Sequence, residues 1–268
     1  MTIHYQVYGN PGAALMVFLH GGGVSGWMWN KQVQYFAADY HCLVPDLPGH
    51  GASHFDTTFS IPSCAEELIS LIKQAANSQE IILIGFSLGA QVAIQMLSIE
   101  PELFDYAIIN SALVRPSPHL IRWIKPSIRF SYPLIKVRSF SKLQAKVLYI
   151  DDEHFETYYK ESTQMKPETL ISILEANMSF TLPSNFNKVR GKLLVTVGDK
   201  EKAVMKQSAT DIVMSNACCV GIRIPGIGHG VSLAKPDYFN QLITQWVQAV
   251  QLPEACSVIA NHAHVKPP

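Results

Sequence analysis

Short runs of uninterrupted apolar residues alternate along the chain with longer segments in which apolar positions recur every three or four residues. The runs at 15–19, 42–44, 81–84, 107–109 and 193–197, with 218–224 as the last, are apolar at all or nearly all positions, as strands covered on both faces require. Segments 28–38, 63–76, 88–98, 202–214 and 236–250 carry the spacing of helices that lay one face on a core. This alternation predicts an α/β fold: a mostly parallel central sheet flanked by helices, built from residues 1–114 and 191–252. Residues 253–268 read as a loosely ordered tail.

The alternation breaks once, over residues 115–190, where proline-punctuated helical patterns supply no clear sheet strand. The segment is expected to form a helical cap inserted after the sixth strand of the core. Its first half carries Arg115, Arg122, Lys125, Arg129, Lys136, Arg138, Lys142 and Lys146 with no acid among them, interleaved with Trp123, Ile124, Ile128, Phe130 and Tyr132. Asp151, Asp152, Glu153 and Glu156 follow at once. Two readings are open: a solvated helix face balanced by its acidic neighbour, or a basic rim that recruits an acidic substrate or an acidic carrier protein.

Composition narrows the classes further. With 21 basic and 21 acidic side chains the formal net charge is zero, so no global field favours nucleic acid or an anionic membrane. The sequence has no leader pattern at Met1–Tyr5 and no apolar stretch of spanning length, and a cytoplasmic protein is expected. Five scattered cysteines without C-x-x-C spacing argue against a disulfide framework or a zinc site. His50 and His54 lie near Asp46, but no third ligand stands at a helpful spacing, so neither a metal nor another cofactor is expected.

The chemistry concentrates at Gly85-Phe86-Ser87-Leu88-Gly89, between the 81–84 run and the 88–98 helix pattern. A strand turning sharply into a helix strains the serine backbone and brings neighbouring segments too close for side chains, hence glycine on both sides of Ser87. The hydroxyl is pushed out above the sheet edge, while the Leu88 amide points from a helix N-terminus toward a developing oxyanion. Serine needs a base, and His229 in Gly226-Ile227-Gly228-His229-Gly230 follows the last strand on a loop able to reach it. A carboxylate must orient that histidine, and Gly198-Asp199-Lys200-Glu201 offers Asp199 and Glu201. Trp27 and Trp29 open the next helix after the first apolar run, where Trp27 is a candidate floor for an acyl pocket; Phe86, Trp123 and Val231 are further pocket candidates.

Together these segments resemble the α/β-hydrolase superfamily over nearly the whole chain. His20-Gly21-Gly22-Gly23 is similar to its oxyanion loop, Asp46-Leu47-Pro48-Gly49-His50-Gly51-Ala52-Ser53 to its D-x-x-G-x-G-x-S turn, and Ser87 and His229 to its nucleophile and base. The resemblance implies a capped serine hydrolase with the amides of Gly22 and Leu88 as oxyanion donors. It places the acid three residues after the glycine, at Glu201, although aspartate is commoner there; Asp199 stays the alternate. Implied substrates are small carboxylic esters, thioesters or lactones with apolar acyl groups, cleaved through an acyl-enzyme. A carbon–carbon bond hydrolase, a proline iminopeptidase-like peptidase or a hydrolase-like ligand receptor with little turnover are the alternatives, because one fold hosts many chemistries.

Overall fold

The apolar runs pair side by side into one eight-stranded sheet in the order β1-β3-β2-β4-β5-β6-β7-β8. The strands are β1 (Tyr5–Tyr8), β2 (Leu15–Leu19), β3 (His41–Pro45), β4 (Ile81–Phe86), β5 (Tyr106–Asn110), β6 (Lys192–Gly198), β7 (Cys219–Ile224) and β8 (Ser257–Ile259). The structure is a computed structural model that describes residues 3–53, 58–76, 80–252 and 256–259. His54, a sequence candidate, and most of the tail lie outside the described residues. Only the outer strands β1 and β8 run antiparallel to their neighbours.

Both sheet faces are covered, which explains why the central strands are apolar throughout. In β2, Leu15, Val17 and Leu19 join one core, under the helices α2 (Ile61–Ala75), α3 (Leu88–Ile99) and α8 (Ala203–Ser215). Met16 and Phe18 turn to the other, against α1 (Asn30–Phe36) and α10 (Pro236–Ala249). The period-two alternation of side chains thus feeds two cores from one run. The 28–38 helix pattern divides into a 3-10 turn at Gly26–Trp29 and α1.

A helical cap interrupts the core between β5 and β6; β5 as counted here answers to the sixth strand of the resembled core. It consists of α4 (Pro118–Ile135), α5 (Arg138–Val147), α6 (Asp152–Gln164) and α7 (Pro167–Ser179), with α4 packed along α7. Pro126 and Pro133 lie inside α4.

Two expectations need correction. The last strand is not 218–224, because Ser257–Ile259 adds β8 beyond β7. A part of the stretch expected as loose tail is therefore paired in the sheet. Three residues with one buried side chain give too short a pattern to detect in sequence.

Candidate active site

The site gathers where the parallel strands end at their C-termini. Phe86 of β4, Asn110 of β5 and Thr196 of β6 share one row across the sheet. The loops leaving this row, with those after β2 and β7, converge on Ser87.

Ser87 joins β4 to α3 with φ 54° and ψ −113°, a conformation that costs an L-residue strain and is held by its surroundings. A Cβ on Gly89 would stand 2.3 Å from the Leu19 carbonyl oxygen and 2.5 Å from that of His20. One on Gly85 would stand 2.6 Å from the Gly89 oxygen. The flanking glycines are thus required by the approach of strand, helix and oxyanion loop.

His229 hangs on the loop between β7 and the single helical turn α9 (Val231–Ala234). Its Nε2 lies 3.1 Å from Ser87 Oγ, and its Nδ1 lies 2.9 Å from Glu201 Oε2. The Phe86 ring packs against the imidazole, centroid to centroid 4.8 Å. Glu201 is buried, and its other oxygen accepts from Ser111 Oγ at 2.7 Å and from the Gly198 amide at 2.9 Å. Burial by itself would raise this carboxyl, but hydrogen bonds from His229, Ser111 and Gly198 outweigh it and hold the group below the ordinary glutamate value. Asp199, the alternate acid, is exposed at the turn after β6.

Ser111, absent from the sequence candidates, also stands in a left-handed conformation, φ 57°, at the end of β5. Its amide donates to the Thr196 carbonyl while its hydroxyl reaches Glu201. The only sequence signal was a polar Asn110-Ser111 pair terminating an apolar strand.

Leu88 is the first residue of α3, so its amide has no helical carbonyl to bond. Gly22 lies beside it: a Cβ there would stand 3.7 Å from the Leu88 side chain and equally far from Ile173 of α7. The loop carrying Gly22 is shaped from beneath by His20, whose Nδ1 lies 2.7 Å from the Gly21 carbonyl and whose Nε2 accepts from the Leu47 amide at 2.8 Å. Burial lowers the pKa of His20, in keeping with a neutral ring that donates at one nitrogen and accepts at the other. Asp46 ties the loops together, accepting from the amides of Gly26 and Ala52.

The pocket candidates divide. Phe86 and Val231 are buried beside the histidine loop. The Trp27 indole donates to Glu161 Oε2 at 2.9 Å and stacks on His154, so it fastens α6 to the core. Trp123 is 68% exposed on α4, turned away because Ile124 next to it takes the buried face. Phe130 is 87% exposed on the same helix. The enclosed space next to the oxyanion loop is instead a cavity of about 130 Å³ between Gly23, Val24 and His50 below and Leu148, Met165 and Leu170 of the cap.

The basic cap residues are partly balanced. Arg115 pairs with Asp211, Lys125 with Glu175 and Arg138 with Glu156, whereas Arg129, Lys136, Lys142 and Lys146 form no ion pair among the described residues. Asp151, Glu153 and His154 offer three ligand atoms close enough for a metal ion. Asp151 already caps α6 by accepting from the His154 amide, which accounts for their proximity.

Residues 16–242 match the model of the "Alpha/beta hydrolase family". The chain belongs to that family. Solved structures of similar fold include the enol-lactonase from Burkholderia xenovorans LB400, 16% identical with a TM-score of 0.76 over 91% of this chain and 96% of that one. A thermophilic esterase from Thermogutta terrifontis is 16% identical with a TM-score of 0.74, over 92% and 93% of the two chains. Pimeloyl-[acyl-carrier protein] methyl ester esterase of Aeromonas salmonicida is 36% identical over 89 residues, 32% of this chain and 33% of the relative. The chain thus spans only about a third of that relative's length, and 39% of a fungal family member that is 34% identical to it. Among the described residues no helix is long and apolar enough to cross a membrane.

Proposed function

We propose that the protein is a serine hydrolase that cleaves a carboxylic ester, thioester or lactone of a small substrate through an acyl-enzyme on Ser87. The observation that carries this reading is the unbroken run of contacts from Ser87 Oγ to His229 Nε2 and from His229 Nδ1 to Glu201, at 3.1 and 2.9 Å. Both distances lie within the range for direct proton transfer and orientation.

In this reading Ser87 Oγ attacks the carbonyl carbon and its proton passes to His229 Nε2. Glu201 holds the Nδ1 proton and stabilises the imidazolium that forms. The carbonyl oxygen becomes an oxyanion facing the amides of Leu88 and Gly22, each such donor contributing about 3–4 kcal/mol to the transition state. Collapse expels the alcohol or thiol, which takes the proton from Nε2. Water then attacks the acyl carbon with His229 as base, releasing the acid and restoring Ser87.

Family membership and the fold shared with an esterase and an enol-lactonase support this bond class. Five cysteines without a disulfide agree with a reducing, cytoplasmic setting. Arg129, Lys136, Lys142 and Lys146 of the cap, which form no ion pair among the described residues, together with exposed Trp123, Phe130, Leu143 and Val147, favour a second substrate form: an acyl group delivered by an acidic carrier protein. A panel of esters, thioesters, lactones and peptides, run with Ser87→Ala as control, tests the reading. Turnover of an oxygen or thiol ester that vanishes in Ser87→Ala is expected; peptide cleavage alone, or turnover that survives the substitution, overturns it.

A further inference from the structure

The cavity beside the oxyanion loop is apolar over most of its wall, through Val24, Ile135, Leu148, Met165 and Leu170. Six polar side chains interrupt that wall, His50, Gln144, Tyr158, Glu161, Ser162 and Gln164, and Glu161 is the one carboxylate among them. Glu161 enters from α6, and His50 from the turn that Asp46 anchors.

Glu161 accepts from Ser25 Oγ at Oε1 and from Trp27 Nε1 at Oε2, both at 2.9 Å. Both donors are neutral. Among the described residues this carboxylate forms no ion pair; Asp46 nearby adds to the negative field, and the exposed Lys160 next to it in sequence offsets that only weakly. Two carboxylate oxygens offer about four acceptor sites, so about two remain. Burial pushes the Glu161 carboxyl up, the hydrogen bonds from Trp27 and Ser25 draw it partly back, Asp46 raises it again and Lys160 lowers it slightly. A half-buried carboxylate without a direct ion pair carries a desolvation cost that an arriving cation relieves.

His50 is 2% exposed. Its Nδ1 lies 3.2 Å from the Pro48 carbonyl, which can only accept, so the proton sits on Nδ1 and Nε2 is an acceptor. That Nε2 is buried and has no partner. Burial, with the neighbouring His20 adding to it, holds the ring pKa down at about 3, so the imidazole is neutral at ordinary pH. Glu161 is therefore the one acceptor-only side chain in the wall, and the group that calls for a donor.

We propose that this cavity is a substrate subsite for a short alkylammonium group, its N–H donors received by the Glu161 carboxylate and its methylenes packed on Leu148, Met165 and Leu170. A cavity of 150 Å³ takes a benzene-sized guest, so one of about 130 Å³ holds about five heavy atoms. Gly23 and Val24 of its floor directly follow Gly22, and Ile173 bridges Gly22 and Gly49 at 3.5–3.7 Å from the Cβ each would carry. The subsite thus adjoins the oxyanion loop, and its role in specificity rests on the serine-hydrolase reading of Ser87.

Two shape-matched ester pairs test it, each differing by one positive charge: phenyl 3-aminopropanoate against phenyl butanoate, and 2-(dimethylamino)ethyl acetate against 3-methylbutyl acetate. The first pair places the ammonium on the acyl side and the second on the alcohol side. Comparing wild type with Glu161→Gln cancels intrinsic ester reactivity. In at least one pair the charged-to-neutral ratio of kcat/KM is expected to fall at least fivefold in Glu161→Gln, chiefly through KM; smaller changes in both pairs overturn the subsite. Calorimetric titration with n-butylammonium chloride and 1-butanol reads binding without any turnover. Wild type is expected to bind the ammonium at least tenfold more tightly than the alcohol, and equal affinities overturn the proposal. If no ester is hydrolysed at all while this preference holds, the reaction assigned to Ser87 fails and the subsite stands. Should Glu161→Gln not fold, the wild-type preference alone decides.

Discussion

Replacing Glu201 by glutamine changes one atom yet is expected to reverse the direction of the hydrogen-bond chain. Glu201 Oε1 accepts from the Ser111 hydroxyl and from the fixed Gly198 amide, so in Glu201→Gln the amide oxygen must occupy that side. The amide nitrogen then faces His229 Nδ1 across 2.9 Å and donates to it. Nδ1 becomes the acceptor, the imidazole proton moves to Nε2, and Nε2 can no longer take the proton of Ser87. In a serine protease this tautomer error costs about 10⁴-fold in kcat, equivalent to about 5–6 kcal/mol in the barrier. Steady-state hydrolysis of p-nitrophenyl butanoate measures it, with thermal unfolding as the check that the variant folds. Asp199→Asn, at an exposed side chain, should stay within about twofold of wild type. Glu201→Gln retaining more than about a tenth of wild-type kcat, or Asp199→Asn losing more than it, would refute the assignment.

The lowered Glu201 pKa gives stability that is fully present above the unfolded glutamate value, about 4.3, and lost as pH falls through the folded value. Urea unfolding of wild type and Glu201→Gln should therefore converge toward low pH, and a gap that stays constant from pH 7 to pH 3 would contradict it. Gly89→Ala drives a methyl into two backbone carbonyls and should destabilise by about 3 kcal/mol in denaturant titration. Leu170→Ala should enlarge the cavity and move the ester preference toward longer acyl chains, whereas Trp123→Ala, at an exposed site, should leave both the chain-length profile and the melting temperature unchanged; the opposite ranking would place the pocket on the outer face of α4.

The sheet was legible because two-sided burial leaves the strongest mark that a sequence can carry. Runs such as 81–84 and 193–197 appear in the structure as β4 and β6, extended by one or two residues at their ends. Ser87 and His229 were legible for a different reason: a strained turn and a close approach of backbones leave glycines behind as a local pattern. Glu201 was preferred to Asp199 only through the resemblance, because two residues apart on a turn the choice depends on which carboxylate the Gly198 and Ser111 donors can reach. The surroundings of Trp27 and Trp123 were not legible, because the direction of each side chain is set by partners distant in sequence, Glu161 for Trp27 and the α4–α7 packing for Trp123. Glu161 carried no local signature and Ser111 only the polar end of an apolar strand, because each acts through a neighbour from a distant segment.

The central claim is that Ser87 is activated by its contact with His229, and a fluorophosphonate probe tests it most directly because, with loss of fluoride, it phosphonylates only an activated serine at neutral pH. Intact-mass measurement followed by peptide mapping should find a single adduct, located on the peptide that contains Ser87 and missing from Ser87→Ala. Labelling in His229→Ala should slow by orders of magnitude. An adduct that persists in Ser87→Ala, or a wild-type protein that takes up no probe, would contradict the account.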